Sequence, residues 1–241
     1  MTLYTNINRL RTQSGNMRVE KQRLQLPIRK FEYEGGCVKK KHSKLLPNNV
    51  RALIVGSSGS GKTNLVLTLL LDKNGLKFKN VYLFSKSLNQ PKYDYLEKIL
   101  KKVKGVGFYR FRNKFLKPED VEKNSVCIFD DVISEKQSPI QDFFSMGRHR
   151  SLDCFYLAQT YSRIPKQLIR DNANVIILFK MDEMNLKHAY NDHAASDMTY
   201  TKFHEMCSNC WDDSYGFIVI EKESERECGR YRKGFDSYIR P

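Results

Sequence analysis

Beyond residue 47 the chain becomes a series of short apolar runs divided by polar stretches. Runs of strand length fall at residues 50–55, 81–84, 126–129, 154–158, 175–179 and 217–220. They are continuous rather than alternating, the pattern of strands covered on both faces. Segments able to form helices separate the first five. That alternation predicts parallel βα units in an α/β fold: three layers around a mainly parallel central sheet.

Local signals agree with this reading. Ser138, Pro139 and Gln141 predict a helix start with a serine cap, a proline at the first helical position and a capping-box glutamine. Phe143 and Phe144 supply its buried face, and Gly147 is the expected stop. Residues 1–47 lack an apolar period and carry the basic cluster KKKHSK, so they are expected to form a basic N-terminal arm with one short strand at LQLPI. The expected organisation is an arm over 1–47, a P-loop domain over 48–222 and a C-terminal tail over 223–241.

Charge adds a partner. The chain has 42 Lys plus Arg against 27 Asp plus Glu, a formal net charge of +15. Such an excess points to a polyanion, either nucleic acid or an anionic surface. No apolar run nears the roughly 18 residues that span a bilayer, and the first residues have no apolar signal core, so an intracellular setting without membrane insertion is expected. Six scattered cysteines, two of them inside expected strands, predict reduced core thiols and not a disulfide framework.

The strongest chemical signal is GSSGSGKT, comprising Gly56, Ser57, Ser58, Gly59, Ser60, Gly61, Lys62 and Thr63. It follows the apolar strand RALIV and opens the segment NLVLTLLLD, the strand-to-helix context that a phosphate-binding loop needs. Its backbone N–H groups would cradle phosphates of ATP, Lys62 would reach the β- and γ-phosphates, and Thr63 would ligate Mg2+. SVCIFDD provides the partner carboxylates. Asp130 is assigned to the magnesium ion, and Asp131 to orienting or deprotonating the attacking water.

Two further residues follow from strand placement. CFYLA emerges on the rim that carries the phosphate loop, so Gln159 is positioned to touch the γ-phosphate or the lytic water. Pro165 restarts a short helix that Arg170 ends before the strand NVIILFK. An arginine there is poorly placed for its own nucleotide and is expected to act on a neighbouring subunit's, with Arg148, Arg150 and Arg163 as rivals.

The sequence of motifs GSSGSGKT, IFDD, then GRHRSLDCFYLAQTYSRIPKQLIRDNANVIILFK resembles the genome-packaging ATPases of the FtsK–HerA superfamily, in particular the poxvirus-type enzymes of large DNA viruses and virophages. The resemblance covers about residues 48–180, with an echo in YRKGFDSY. It implies an ATPase that forms a homo-oligomeric ring and threads double-stranded DNA into a preformed capsid, with capsid or portal-vertex proteins as partners. A setting in the host-cell virus factory or virion goes with it. It also implies a sheet in which the glutamine-bearing strand lies between the Walker A and Walker B strands. It carries the sensor role to Gln159 and the arginine finger to Arg170. Wider relatives have Asp-Glu where this chain has Asp130-Asp131, and the shorter side chain bears on Asp131 as catalytic base.

Lys98, Lys101, Lys102, Lys104, Arg110, Arg112 and Lys114 interleave with aromatics and suit contact with a DNA backbone without sequence readout. Cys207 and Cys210 form one C-x-x-C, half a zinc site, with His204 and Cys228 as outlying ligands. His188 and His193 are expected at the surface. The competing readings are a cellular or plasmid DNA pump, a P-loop small-molecule kinase, and a nucleotide-gated binding protein without turnover. No guanine-reading N-K-x-D or LSGGQ-like signature is present.

Overall fold

The structure, a computed structural model, describes residues 40–226 and 229–240. The arm up to residue 39, the strand expected at LQLPI and Cys228 lie outside the described residues. The strands are β1 (Arg51–Val55), β2 (Asn80–Ser85), β3 (Gly107–Phe111), β4 (Ser125–Asp130), β5 (Asp153–Ala158), β6 (Val175–Phe179), β7 (Phe217–Glu221), β8 (Tyr231–Lys233) and β9 (Ser237–Ile239). The helices are α1 (Lys62–Leu71), α2 (Pro91–Leu100), α3 (Ser138–Met146), α4 (Glu183–His193) and α5 (Tyr200–Trp211).

All nine strands join one sheet in the order β3-β2-β4-β5-β1-β6-β7-β8-β9. β1 to β6 run parallel, and β7, β8 and β9 are added antiparallel. Every residue of β2, β4, β5 and β6 is buried, as their unbroken apolar runs require. Alternate side chains divide the core in two. Leu53, Val55, Phe84 and Phe129 face the α3, α4 and α5 layer, while Ala52, Ile54, Leu83 and Ile128 face α1 and α2. The expected three-layer α/β architecture is what forms, with β5 between β1 and β4.

Several local expectations are revised. α3 begins at Ser138 with Gln137 as its cap residue and no side-chain cap. The Gln137 amide instead donates to the Val132 and Glu135 carbonyls and closes the preceding loop. Gly147 has helical backbone angles and leads into a tight turn over Gly147–Arg150, so the left-handed stop falls at Ser151, φ 55°. The tail expected from residue 223 instead supplies β8 and β9, whose three-residue runs are too short and too polar to announce themselves.

The domain also begins before residue 48. Asp153, fully buried at the start of β5, accepts from the Val50 N–H at 2.9 Å and from Lys41 Nζ at 2.6 Å. His42 is buried beside it and accepts the Lys77 N–H at Nδ1. These contacts fasten residues 41–50 to the rim where β5 starts, opposite the rim described next.

Candidate phosphate-binding site at the carboxyl rim

The carboxyl ends of β1, β4 and β5 bring GSSGSGKT, Asp130 and Gln159 to one rim. The Gly56 N–H donates to the Ala158 carbonyl at 3.2 Å, which stitches the loop to the residue before Gln159. Crowding by neighbouring side chains explains the first glycine. A methyl group at Gly56 would lie 2.5 Å from Phe179 Cβ and 2.8 Å from Ser60 Oγ, so a side chain there would displace the loop. Gly61 has φ 107°, a left-handed angle that turns the chain into α1.

The loop carries unspent hydrogen-bonding capacity. The N–H groups of Gly59, Gly61, Lys62 and Thr63 have no acceptor among the described residues, and Ser60 Oγ is buried without a partner. Lys62 Nζ folds back to the Gly56 and Ser57 carbonyls at 2.6 and 2.7 Å. Burial pulls the Lys62 ammonium below the ordinary lysine range, and the nearby Asp130 charge pulls the other way. Orphan donors converging on a helix N-terminus, with a lysine able to swing from carbonyls to a ligand, fit a polyphosphate.

Asp130 ends β4 with its side chain buried. Burial pushes its carboxyl above the ordinary range, a hydrogen bond from Tyr93 pulls it back, the Asp131 charge raises it and Lys62 lowers it. Tyr93, buried on α2, donates to Asp130 Oδ2 at 2.5 Å, and the Thr63 side chain lies near the same hydroxyl. Thr63 and Asp130 thus both lie near the Tyr93 hydroxyl, a placement that suits a hydrated Mg2+. Asp131 turns outward on a left-handed backbone, φ 56°, and is exposed, with Ser87 Oγ donating to Oδ2 at 3.3 Å. Gln159 is exposed beside the loop. Tyr93 is the member that motif reading missed, because α2 lies between motifs and only its buried face hints at a role.

Arg170 sits away from this cluster. It ends a single π-helical turn, Lys166–Arg170, and its guanidinium pairs with Asp192 at 2.6 Å over the Tyr161 ring. The arginine expected to reach a neighbouring subunit is thus held within its own chain. Arg150 Nη2 donates to the Val121 carbonyl, whereas Arg148 and Arg163 are exposed and form no ion pair among the described residues. The same cluster corrects His193. It is buried on α4 against the Tyr161 hydroxyl at 2.7 Å, and desolvation pulls its pKa down to about 3, so of the two histidines expected at the surface His188 alone is there. Its position on the face with Asn185, Leu186 and Ala189 explains the burial.

The zinc option finds no site among the described residues, which do not include Cys228. Cys207 and Cys210 are buried in α5, while His204 is exposed and turned to Glu183, and no three-ligand group occurs among the described residues. Arg110, expected on a DNA surface, is instead bound by Asp94 at 2.9 Å and Glu97 at 2.6 Å.

A family model of the poxvirus A32 protein matches residues 38–224. The chain belongs to the poxvirus A32 protein family. The likeness to poxvirus-type genome-packaging ATPases read from the motifs is thereby borne out, over a longer stretch than the motifs cover. Among solved structures, this A32-family chain is similar to the genome packaging NTPase B204 from Sulfolobus turreted icosahedral virus 2. Its sulfate complex is 17% identical with a TM-score of 0.55, covering 77% of this chain and 96% of that one. Its complex with ATP-gammaS is 16% identical with a TM-score of 0.53, covering 79% and 98%. B204, the DNA-packaging ATPase from Sulfolobus Turreted Icosahedral Virus, is 15% identical with a TM-score of 0.54, covering 76% and 95%. At these identities the likeness is one of fold. No curated protein matches the A32-family chain.

Proposed function

We propose that this chain is the ATP-hydrolysing motor that packages double-stranded viral DNA into a preformed capsid. The observation that carries the reading is the convergence of Lys62, Thr63, Asp130 and Gln159 on one rim of a sheet ordered β4-β5-β1. The solved B204 complexes with ATP-gammaS and AMPPCP support nucleotide binding.

The roles follow from chemistry. The free N–H groups and Lys62 bind and neutralise the phosphates, Lys62 exchanging its two carbonyl partners for phosphate oxygens. Thr63 and Asp130 would hold Mg2+, which supplies charge neutralisation at the β- and γ-phosphates. Asp131, exposed and clear of the Tyr93 contact, takes the proton of the attacking water, and Gln159 orients that water.

The assembly is a homo-oligomeric ring, as in the resemblance, engaging DNA through its backbone and docking on capsid or portal-vertex proteins in the virus factory. A trans-acting role for Arg170 requires its Asp192 pair to open. Arg163, exposed four residues beyond Gln159, is the rival on the nucleotide rim.

Magnesium-dependent ATP hydrolysis by the wild-type chain, with Lys62→Ala falling at least about a hundredfold, is the expected result, since this lysine contributes charge stabilisation of several kcal/mol. Near-wild-type turnover by Lys62→Ala would refute the site as assigned.

A further inference from the structure

The nucleoside half of the ligand has no assigned partner, although the geometry limits where it lies. Asp130 ends β4, two strands to one side of β1. A triphosphate with its terminal phosphate towards Lys62 and Asp130 must send its nucleoside the other way, over the ends of β6 and β7. β7 is antiparallel to β6, so the loop entering β7 reaches this same rim.

That loop holds Tyr215. A methyl group built on Gly61 would lie 3.4 Å from Tyr215 Cδ1 and 3.6 Å from its Cβ, with Phe179 Cε1 also 3.4 Å away. The tyrosine therefore stands in van der Waals reach of the phosphate loop. It nevertheless remains 68% exposed, a large apolar face left open to water.

The position is built, not a consequence of loose chain. Tyr215 has φ 64°, a left-handed angle that is uncommon for a bulky residue and is kept only where the surroundings impose it. The surroundings do impose it. The Gly216 N–H closes the loop onto the Asp213 carbonyl at 2.9 Å. A side chain at Gly216 would collide with the Cys210 carbonyl at 2.1 Å. Trp211 Nε1 ties the end of α5 to the Leu178 carbonyl, and Lys233 holds Asp213 at 2.8 Å.

We propose that Tyr215 is the stacking platform for the base of the bound nucleoside triphosphate. The proposal rests on the reading of GSSGSGKT as the triphosphate site. A ring face gains from any base's π surface without reading its hydrogen-bonding edge, so Tyr215 provides affinity for purine nucleotides and does not by itself choose adenine over guanine.

The test is calorimetric binding of Mg·ATP and of Mg·tripolyphosphate to the full chain and to Tyr215→Ala, Tyr215→Phe and Tyr215→Asn. Asparagine tolerates the left-handed backbone, so it removes the ring without adding strain. Alanine and asparagine are expected to weaken ATP about five- to hundredfold and leave tripolyphosphate unchanged, while phenylalanine keeps wild-type ATP affinity. Wild-type ATP affinity in both ring-less variants would overturn the proposal, as would an equal loss of both ligands. Failure of the wild-type chain to bind even tripolyphosphate would remove the phosphate site itself, a different result from loss of the base contact alone.

Discussion

Tyr93 reaches from α2 to a motif residue that sequence spacing keeps apart from it, Asp130 on β4, with Thr63 of α1 near the same hydroxyl. Its hydroxyl stabilises the ionised form of a carboxylate that burial disfavours, so losing it pushes the Asp130 carboxyl further up. The sign for activity follows. Metal binding needs ionised Asp130, and a higher pKa moves the acid limb of the rate profile to higher pH. Tyr93→Phe is therefore expected to raise the Mg2+ needed for half-maximal hydrolysis about tenfold, the scale of a hydrogen bond to a charged group. A magnesium titration and a pH–rate profile check it. An unmoved acid limb with unchanged Mg2+ demand would show that Tyr93 only packs. Lys62 and Asp130 were legible from the motifs alone, because the chemistry demands them at fixed offsets from a strand. Tyr93 was not, since nothing in local spacing says which face of α2 meets the end of β4.

At the scale of elements, α2 and β3 form the free end of the parallel sheet, and Arg110 is their staple. It binds Asp94 and Glu97 on α2 and donates to the Tyr93 carbonyl at 2.9 Å, so the residue expected to meet DNA is spent within the fold. Because its side chain is one-fifth exposed, Arg110→Ala should cost about 1–2 kcal/mol, seen as a lower midpoint of denaturant unfolding. Unchanged stability with weakened DNA binding would return Arg110 to the surface role. The six apolar runs named the six central strands because continuous burial leaves continuous hydrophobicity. β3 escaped that pattern, as an edge strand with Arg110 in its middle, and so did β8 and β9, whose buried Arg232 pairs with Glu221 instead of water. The start of α3 falls one residue earlier than read: Ser138 is the first helical residue and not the cap, and Gln137 before it spends its amide on the preceding loop.

For the whole molecule, the excess of positive charge now has a partial address. Lys98, Lys102, Lys104, Arg112 and Lys114 are exposed around α2 and β3, and none forms an ion pair among the described residues. Lys101 is engaged by Glu97. Unspent cations along one end of the sheet suit a polyanion whose backbone is followed and whose sequence is not read. The same helix carries Tyr93 on its inner face against Asp130, so the charged end and the nucleotide rim share an element. No helix among the described residues is long and apolar enough to cross a membrane. The most direct measurement is the steady-state ATPase rate with and without long double-stranded DNA across a salt series, with Lys62→Ala as the blank. A motor that tracks the DNA backbone gives turnover stimulated by DNA of any sequence, with the stimulation fading steeply as salt rises. Turnover indifferent to DNA at low salt, in rings verified to have formed, would contradict it.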